Sequence, residues 1–281
     1  MEKRPKKALV LEGGGMRSAY VAGVLMAFHD QRYNPFDVVV GTSAGACCAA
    51  NFLAGEPEKN QKILEDYLTG NRFVSYRNIF SRKNIVDIDF LIDEVCVHHV
   101  PLLTEKVRQS SAILHITALD YLTGEICYFN SREHDIREAL RASCAMPYLY
   151  RNKVIYQGRR YLDGGLLIDI PLQKALDIGC DEIVVVSTRL RGYQKPKSFL
   201  PRWVHRLVYH DSPAIADVFA RRHLVYNETL RQIDHHPEGK IIHLIIPETP
   251  LPVTRTTRDK NKVKEGILRG YDDGLRFLFP P

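Results

Sequence analysis

Residues 38–50 read VVVGTSAGACCAA, an apolar run that ends on a serine between two glycines and passes directly into small residues. The apolar run predicts a buried strand over 36–40, and the small residues predict a closely packed helix after the serine. Gly41, Ser43 and Gly45 fit the pattern G-x-S-x-G, in which a strained strand-to-helix turn presents a serine hydroxyl to a substrate. A turn in the protein core, where glycines allow close packing, is the structural alternative.

A second strand–turn–helix unit precedes this serine. Residues 7–11 (KALVL) predict a short buried strand, and apolar residues at helical spacing follow a glycine loop. Two such units in succession indicate an α/β fold with a parallel sheet. Residues 57–110 are mixed in pattern and mainly helical. The rest of the chain predicts strands over 113–118, 126–129, 154–156, 160–162, 182–187 and 241–246, and helices over 44–53, 135–144, 171–178, 201–234 and 262–278.

Three adjacent glycines, Gly13, Gly14 and Gly15, follow the first strand and precede Met16 and Arg17. Glycines leave the backbone N–H groups of such a loop free to converge on an anion. The loop could therefore be an oxyanion hole, a phosphate-binding loop or a purely structural turn. The dinucleotide pattern G-x-G-x-x-G fits poorly because a serine occupies its last position, and no P-loop lysine follows. Arg17 could orient the loop, meet an anionic headgroup or lie in solvent.

A nucleophilic serine needs a proton acceptor, and the sequence offers two kinds. Six of the eleven histidines follow residue 200, as the order of an α/β-hydrolase triad requires, but none lies in a glycine-framed loop. Asp163 is the more favourable residue, because it ends a short apolar stretch and is followed by Gly164 and Gly165. A carboxylate with only glycines after it can face a cleft and accept the serine proton. An ordinary Asp-Gly turn is the alternative.

The order of these motifs resembles the patatin-like phospholipase family. EGGGMR at 12–17, GTSAG about 25 residues later and DGG at 163–165 carry the likeness, and RASCAMP at 141–147 and Pro171 add to it. The resemblance covers about residues 6–190. It implies a three-layer α/β/α fold with a mainly parallel central sheet, and the hydrolysis of acyl esters in lipids.

The resemblance also assigns roles to individual residues. Ser43 would be the nucleophile and Asp163 its base, in a Ser-Asp dyad that works through an acyl-enzyme. The glycine loop would form the oxyanion hole, contributed by Gly13, Gly14, Gly15, Met16 and Arg17. Two positions depart from the family pattern, since Ser18 replaces a frequent glycine and Asp169 replaces a frequent asparagine. Neither departure touches the dyad.

Composition limits the class of protein. The 281 residues are 45% hydrophobic and 26% charged, as in a soluble globular protein. The six cysteines show no CxxC spacing and several lie in apolar stretches, so we expect reduced thiols without disulfides or a zinc site. The N-terminus lacks the apolar region of a signal peptide, and no window resembles a transmembrane helix. A cytoplasmic location is therefore expected.

Positive charge is unevenly distributed. The formal net charge is +6, and residues 189–206 carry six basic side chains with no acidic one between them. This segment could be a solvated loop and helix face, or it could attract an anionic membrane surface. A nucleic-acid partner is weakly supported, because zinc-finger spacing, RNP-like aromatic motifs and repeats are missing from the sequence.

Together these patterns predict a catalytic domain over 6–190 and a mainly helical extension over 191–281 that packs on it. The expected activity is that of a lipid acyl hydrolase of the phospholipase or lysophospholipase kind, with no cofactor and no metal. A carboxylesterase for small soluble esters and a non-catalytic lipid- or phosphate-binding protein are the alternatives.

Overall fold

The computed structural model of the chain describes residues 4–81 and 83–280, within which one mixed sheet has helices on both faces. Its strands are β1 (Lys7–Leu11), β2 (Val38–Thr42), β3 (Ile113–Asp120), β4 (Ile126–Asn130), β5 (Val154–Tyr156), β6 (Arg159–Asp163), β7 (Glu182–Val186) and β8 (Ile241–Ile245). The α-helices are α1 (Ser18–Asp30), α2 (Ala44–Leu53), α3 (Glu58–Lys62), α4 (Thr104–Gln109), α5 (Ile136–Cys144), α6 (Leu172–Asp177), α7 (Arg202–Val208), α8 (Pro213–His235) and α9 (Lys260–Leu278).

The centre of the sheet is parallel. β3, β2, β1, β7 and β8 lie side by side in that order, each parallel to its neighbours. Ala118 and Leu119 of β3 pair antiparallel with both β4 and β6, so β6 occupies the edge of β3 that also pairs with β2. β5 completes a hairpin with β6. The predicted α/β fold with a mainly parallel sheet is confirmed.

Apolar side chains on both faces of the sheet explain the three layers. In β1, Leu9 and Leu11 join the core cluster beneath α1, α2 and α9, whereas Ala8 and Val10 join a second cluster with residues of α6 and α8. Because successive side chains of a strand point to opposite faces, an unbroken apolar strand requires helices on both sides. The apolar residues of KALVL therefore indicate a strand that helices cover on both faces of the sheet.

Most predicted elements are confirmed within about two residues of their ends. The strand predicted over 36–40 begins and ends two residues later, at Val38–Thr42, so it runs directly into Ser43. The mainly helical segment between α2 and β3 contains α3, α4, a 3-10 turn at Tyr76–Phe80 and two π-helical stretches, Ile63–Tyr67 and Phe90–His99.

The C-terminal part of the chain joins both the sheet and the helical layers. β8 pairs in parallel with β7 and extends the central sheet. α9 packs along α1, with its Val263 and Ile267 in the same core cluster as α1. α8 covers the opposite face through Tyr226 and Ile233. The division at residue 190 into a domain and an extension stays a prediction.

Candidate active site

Ser43 lies at the sharp turn between β2 and α2. Its backbone has φ 53° and ψ −128°, which is rarely populated by a residue with a side chain. The two flanking glycines make the turn possible. A Cβ on Gly41 would lie 2.6 Å from the Cα of Ala46, and a Cβ on Gly45 would lie 2.6 Å from the backbone oxygen of Glu12. The glycines therefore let α2 start directly against the strands, with the serine at its N-terminus.

Asp163 lies close to Ser43 because β6, which ends at Asp163, and β2, which ends just before Ser43, pair with the same edge of β3. Thr42 pairs with Thr117, and Asp163 pairs with the next residue, Ala118. The hydroxyl of Ser43 donates a hydrogen bond of 2.8 Å to Oδ2 of Asp163. The other carboxylate oxygen accepts a 2.7 Å hydrogen bond from the amide of Gly165. The two residues singled out in the sequence are thus in direct contact, although 120 positions separate them.

No histidine forms part of this contact within the described chain, where neither Ser43 nor Asp163 hydrogen-bonds to an imidazole. His205, one of the late histidines, is buried and contacts the Tyr148 hydroxyl and Ser198 instead. Burial raises the pKa of Asp163 to about 6, although the hydrogen bonds from Ser43 and Gly165 and the charge of Arg255 favour its ionised form. A carboxylate with this pKa is a stronger base than an ordinary one and is still mainly ionised at neutral pH.

A segment of the RASCAMP motif holds both members of the pair in place. The hydroxyl of Ser143 accepts a 2.7 Å hydrogen bond from the Ser43 amide and donates one of 2.6 Å to the backbone oxygen of Thr117. Two residues later, the backbone oxygen of Ala145 accepts a 3.0 Å hydrogen bond from the amide of Asp163. Ser143 is fully buried, so these hydrogen bonds are shielded from water.

The glycine loop contributes fewer free donors than its sequence predicts. The amide of Gly13 donates to the backbone oxygen of Asp169, that of Met16 to Arg255, and that of Arg17 to Gly14. These three amides are therefore already engaged, which corrects their assignment to the oxyanion hole. Among loop residues 13–17, the amides of Gly14 and Gly15 have no hydrogen-bond partner in the described chain. Gly15 also has φ +56°, and a Cβ there would lie 2.4 Å from the backbone oxygen of Arg255.

Arg17 is buried and orients the loop, so its interpretation as a solvated side chain is wrong. Its Nε donates a 3.0 Å hydrogen bond to the Thr188 hydroxyl, and its guanidinium lies against Gly14. Thr188 in turn donates to the buried carboxylate of Glu12, which also accepts from Tyr226 of α8. The loop is fixed by this network at the carboxyl ends of β1 and β7.

Two cavities meet at Ser43. The first is almost entirely apolar and extends between α2 and the π-helical stretches. The second is a more polar cleft that is lined by Asp163, Asp169 and the glycine loop. Gly15, Ser43, Met146 and Arg255 line both cavities. A molecule with one apolar and one polar end could therefore lie across the serine hydroxyl.

Three cations that the sequence patterns did not identify surround the polar cleft. Lys195 forms an ion pair with the buried carboxylate of Asp169, whose other oxygen lies 3.7 Å from the guanidinium of Arg255. Burial opposes the ionisation of Asp169, but these two cations hold its pKa below the ordinary value. Arg222 of α8 also lines the cleft. Lys195 belongs to the basic segment 189–206, so that segment is not solvated throughout.

Comparison with known proteins assigns the family. A family model described as patatin-like phospholipase matches residues 9–176, more than half of the chain, and the chain belongs to this family. A second model, a domain of unknown function named DUF6363, matches residues 212–279. Family membership supports a lipid hydrolase.

Two relatives are similar to this chain in sequence. The Escherichia coli K12 protein YjjU is 31% identical over 87% of this chain and 69% of its own. An NTE family protein of Mycobacterium bovis, Mb1092c, is 25% identical over 79% of this chain. The chain spans 60% of the length of that mycobacterial relative.

One solved structure supports the fold, and a second is similar at a lower TM-score. VipD from Legionella pneumophila superposes with a TM-score of 0.53 at 13% identity, covering 98% of this chain and 67% of that one. The type III effector ExoU superposes with a TM-score of 0.41 at 15% identity, over 97% of this chain and 53% of its own. At this identity, the likeness to VipD supports the fold alone.

Over 4–81 and 83–280, no group of three or more His, Cys, Asp or Glu side chains is placed to hold a metal ion. In the same ranges no helix combines the length and apolar character that crossing a bilayer requires.

Proposed function

We propose that the protein is a serine acyl hydrolase that cleaves lipid esters with Ser43 as nucleophile and Asp163 as base. The observation that carries this proposal is the 2.8 Å hydrogen bond from the Ser43 hydroxyl to Asp163, made at a strained strand-to-helix turn. Asp163 takes the hydroxyl proton as Oγ attacks the ester carbonyl, and it gives this proton to the departing alcohol, which leaves the acyl-enzyme. Asp163 then takes a proton from water as the water oxygen attacks the acyl-enzyme, and it returns the proton to Oγ when the carboxylic acid is released.

The free amides of Gly14 and Gly15 are the proposed oxyanion donors. Both residues line the cleft beside Ser43, and the network around Arg17 and Glu12 holds their loop rigid. Donors that are fixed before the reaction stabilise the developing charge without reorganisation, each by about 3 kcal/mol in comparable sites. The N-terminus of α2 adds a favourable field at the same place.

The apolar cavity supports a lipid rather than a small soluble ester as the substrate. Its walls include Leu64, Phe73, Val86, Ile88 and Leu91, and Ser43 is also one of its lining residues. We infer that the acyl chain occupies this cavity and that the leaving alcohol lies in the polar cleft. A carboxylesterase specific for short acyl groups would have no use for so large a set of apolar side chains beside the nucleophile.

The experiment that tests the proposal combines labelling with substitution. Ser43→Ala should lower the hydrolysis of a p-nitrophenyl acyl ester by at least about 10³-fold, because no other group can replace the nucleophile. A fluorophosphonate probe should label the wild-type protein at Ser43 and leave Ser43→Ala unlabelled. Asp163→Asn should be nearly as inactive. A folded Ser43→Ala protein that keeps its turnover would refute the nucleophile.

We also propose that the protein acts at an anionic membrane surface in a reducing compartment such as the cytoplasm. The exposed side of α7 and the residues before it carry Phe199, Trp203 and Leu207, of which 98%, 67% and 69% are accessible to solvent. Arg206 lies among them and is also exposed. Aromatic and aliphatic side chains interleaved with cations are typical of helices that lie in the membrane interface. The free cysteines among the described residues fit a reducing compartment.

The position of α7 connects this surface to the site. On its buried side, the ring of His205 stacks on Phe219 with 3.8 Å between centroids, and Phe219 lines the polar cleft. His205 Nδ1 is also 2.6 Å from the hydroxyl of Tyr148, another cleft residue. Docking of α7 on a bilayer would therefore bring the mouth of the cleft towards the lipid.

A further inference from the structure

Arg222 is a half-buried cation that has no partner among the described residues of the active site. It belongs to α8 and lines the polar cleft that contains Ser43 and Asp163. Within the described chain its guanidinium makes no hydrogen bond and no ion pair within 4.0 Å, and its Nε is fully shielded from solvent. Burial lowers the pKa of Arg222 even though the carboxylates of Asp169 and Asp163 favour its charged form. A cation with a shielded, unpartnered Nε in a cleft is a place where an anionic ligand would be stabilised.

The other charges in the cleft leave this cation available. Asp169, whose charge acts on Arg222 more strongly than that of Asp163, already forms an ion pair with Lys195 and lies 3.7 Å from Arg255. The carboxylates of Asp163 and Asp169 therefore lie beside Arg222, Arg255 and, through its ion pair with Asp169, Lys195. These cations outnumber the carboxylates by one. An anion entering the cleft would meet Arg222 without displacing an existing ion pair.

Substrate orientation determines which part of the substrate meets these arginines. With the acyl chain in the apolar cavity, the carbonyl lies at Ser43 and the leaving alcohol occupies the cleft lined by Arg222 and Arg255. We propose that these two arginines form an anion subsite that selects acyl esters whose alcohol carries a phosphate group. Guanidinium groups bind phosphate oxygens in bidentate geometry, and two of them can hold one phosphate from different sides. This inference rests on the proposed function.

The subsite is supplied by the C-terminal part of the chain. Arg222 lies in the region matched by DUF6363, and Arg255 lies in the loop that precedes α9. The backbone oxygen of Arg255 accepts a hydrogen bond from the amide of Met16, so the same residue joins the glycine loop to the cleft. The C-terminal third would therefore determine the headgroup, while residues of the patatin-like region carry out the reaction.

A pair of substrates with one acyl chain tests this assignment. The measurement is kcat/KM for 1-acylglycerol 3-phosphate and for the matching 1-acylglycerol at pH 8, where Asp163 is ionised. Arg222→Gln should reduce the preference for the phosphate substrate by roughly 10- to 100-fold, as expected for the loss of charge-assisted hydrogen bonds. Arg222→Lys should restore part of it. Arg221→Gln, the exposed neighbour on α8, is the matched control and should leave the preference unchanged.

Ligand binding separates this inference from the activity on which it rests. Glycerol 3-phosphate should bind the Ser43→Ala protein in isothermal titration calorimetry, and Arg222→Gln in that background should weaken binding by at least about tenfold. This measurement needs no turnover, so it stands even if the hydrolase proposal fails. Binding of inorganic phosphate but not of glycerol 3-phosphate would indicate a free-phosphate site and overturn the headgroup assignment. An equal loss on both acyl substrates in Arg222→Gln would also overturn it.

Discussion

Asp163 must be both buried enough to be a useful base and ionised enough to act as one. Burial raises its pKa to about 6, and the general-base role requires the carboxylate form. We therefore expect kcat/KM for an acyl ester to rise about tenfold per pH unit below this value and to level off above pH 7. A pH-stat assay from pH 4.5 to 8.5 measures the profile, with circular dichroism to confirm that the protein remains folded at each pH. A profile that is flat from pH 5 to 8 would contradict this assignment.

The same raised pKa makes the catalytic carboxylate a source of instability. The folded protein prefers the protonated form, so its stability falls as the pH rises from about 4 to about 6, and the loss persists above that range. Two pKa units correspond to about 3 kcal/mol. Asp163→Asn removes the charge, and its oxygen can still accept from Gly165, so the free energy of unfolding should increase by about this amount at pH 8.

Urea unfolding at pH 8 and near pH 4 checks the sign of this effect. The increase in the free energy of unfolding caused by Asp163→Asn should be largest at pH 8. It should be small near pH 4, where the wild-type carboxyl is protonated in the folded state. Asp272→Asn, on the exposed side of α9, is the matched control and should change little at either pH. A variant that is less stable than the wild type at pH 8 would mean that the ionised carboxylate stabilises the fold.

At the level of single residues, the sequence was most informative where one residue type satisfies a severe geometric demand. Gly41 and Gly45 are required because any side chain would collide with Ala46 or Glu12, and this requirement makes the motif visible in the chain. The amide of Gly13 shows what a local sequence pattern cannot predict. Its engagement with Asp169 depends on a residue 156 positions away, and no local pattern could have shown that Gly14 and Gly15 alone remain free.

Helices α1 and α9 approach each other unusually closely, through glycines on both. A Cβ on Gly270 would lie 2.0 Å from the backbone oxygen of Tyr20, and one on Gly23 would lie 2.0 Å from that of Ile267. The hydroxyl of Tyr20 also donates a 2.7 Å hydrogen bond to the buried Asp273. This contact fixes α9, and with it the loop that carries Arg255, against the catalytic core.

Gly270→Ala distinguishes close packing from helix propensity. Propensity alone predicts that alanine stabilises a helix by up to about 1 kcal/mol relative to glycine. The contact with Tyr20 predicts the opposite, a loss of about 2 kcal/mol or more, because overpacking forces the helices apart. Thermal unfolding measures the sign, and Leu268→Ala on the exposed side of α9 is the control. An increase in Tm for Gly270→Ala would show that the helices can separate at no cost.

The elements around the serine could be predicted from the sequence because their signals are local. Apolar strands, a glycine loop and a helix of small residues each carry a pattern within ten residues, and these elements appear as β1, β2 and α2. The position of β6 could not be predicted in this way. Its pairing with β3 beyond the end of β2, which brings Asp163 to Ser43, is a property of the sheet as a whole.

At the scale of the whole molecule, the site is assembled from two ends of the chain. Arg222 and Arg255 line the cleft, and Lys195 pairs with Asp169 at its wall. All three come from regions whose sequence shows basic or helical character but no motif. Their positions follow from β8 joining the sheet and from α8 and α9 covering its two faces. A local sequence pattern cannot specify that the side of α8 carrying Arg222 faces a cleft that the glycine loop and Ser43 form much earlier in the chain.

The exposed side of α7 leads to a prediction about the molecule on a membrane. Because Leu207 and Trp203 are exposed beside Arg206, we expect the wild-type protein to bind vesicles containing phosphatidylglycerol and to lose binding as salt is added. Leu207→Ser combined with Trp203→Ser should reduce partitioning by roughly fivefold or more, since both side chains would otherwise leave water. Cosedimentation measures binding, and hydrolysis of vesicle lipid should fall with it.

A matched substitution on another helix shows whether vesicle binding depends on the position of the apolar side chain or only on its hydrophobicity. Leu268 on α9 is 64% exposed, close to the 69% of Leu207, but it lies on a different helix. Leu268→Ser should therefore leave vesicle binding unchanged, and a monomeric p-nitrophenyl ester should be hydrolysed at the same rate by all of these proteins. If Leu268→Ser weakens binding as much as Leu207→Ser, or if binding ignores both salt and anionic lipid, then α7 does not dock the cleft on the membrane.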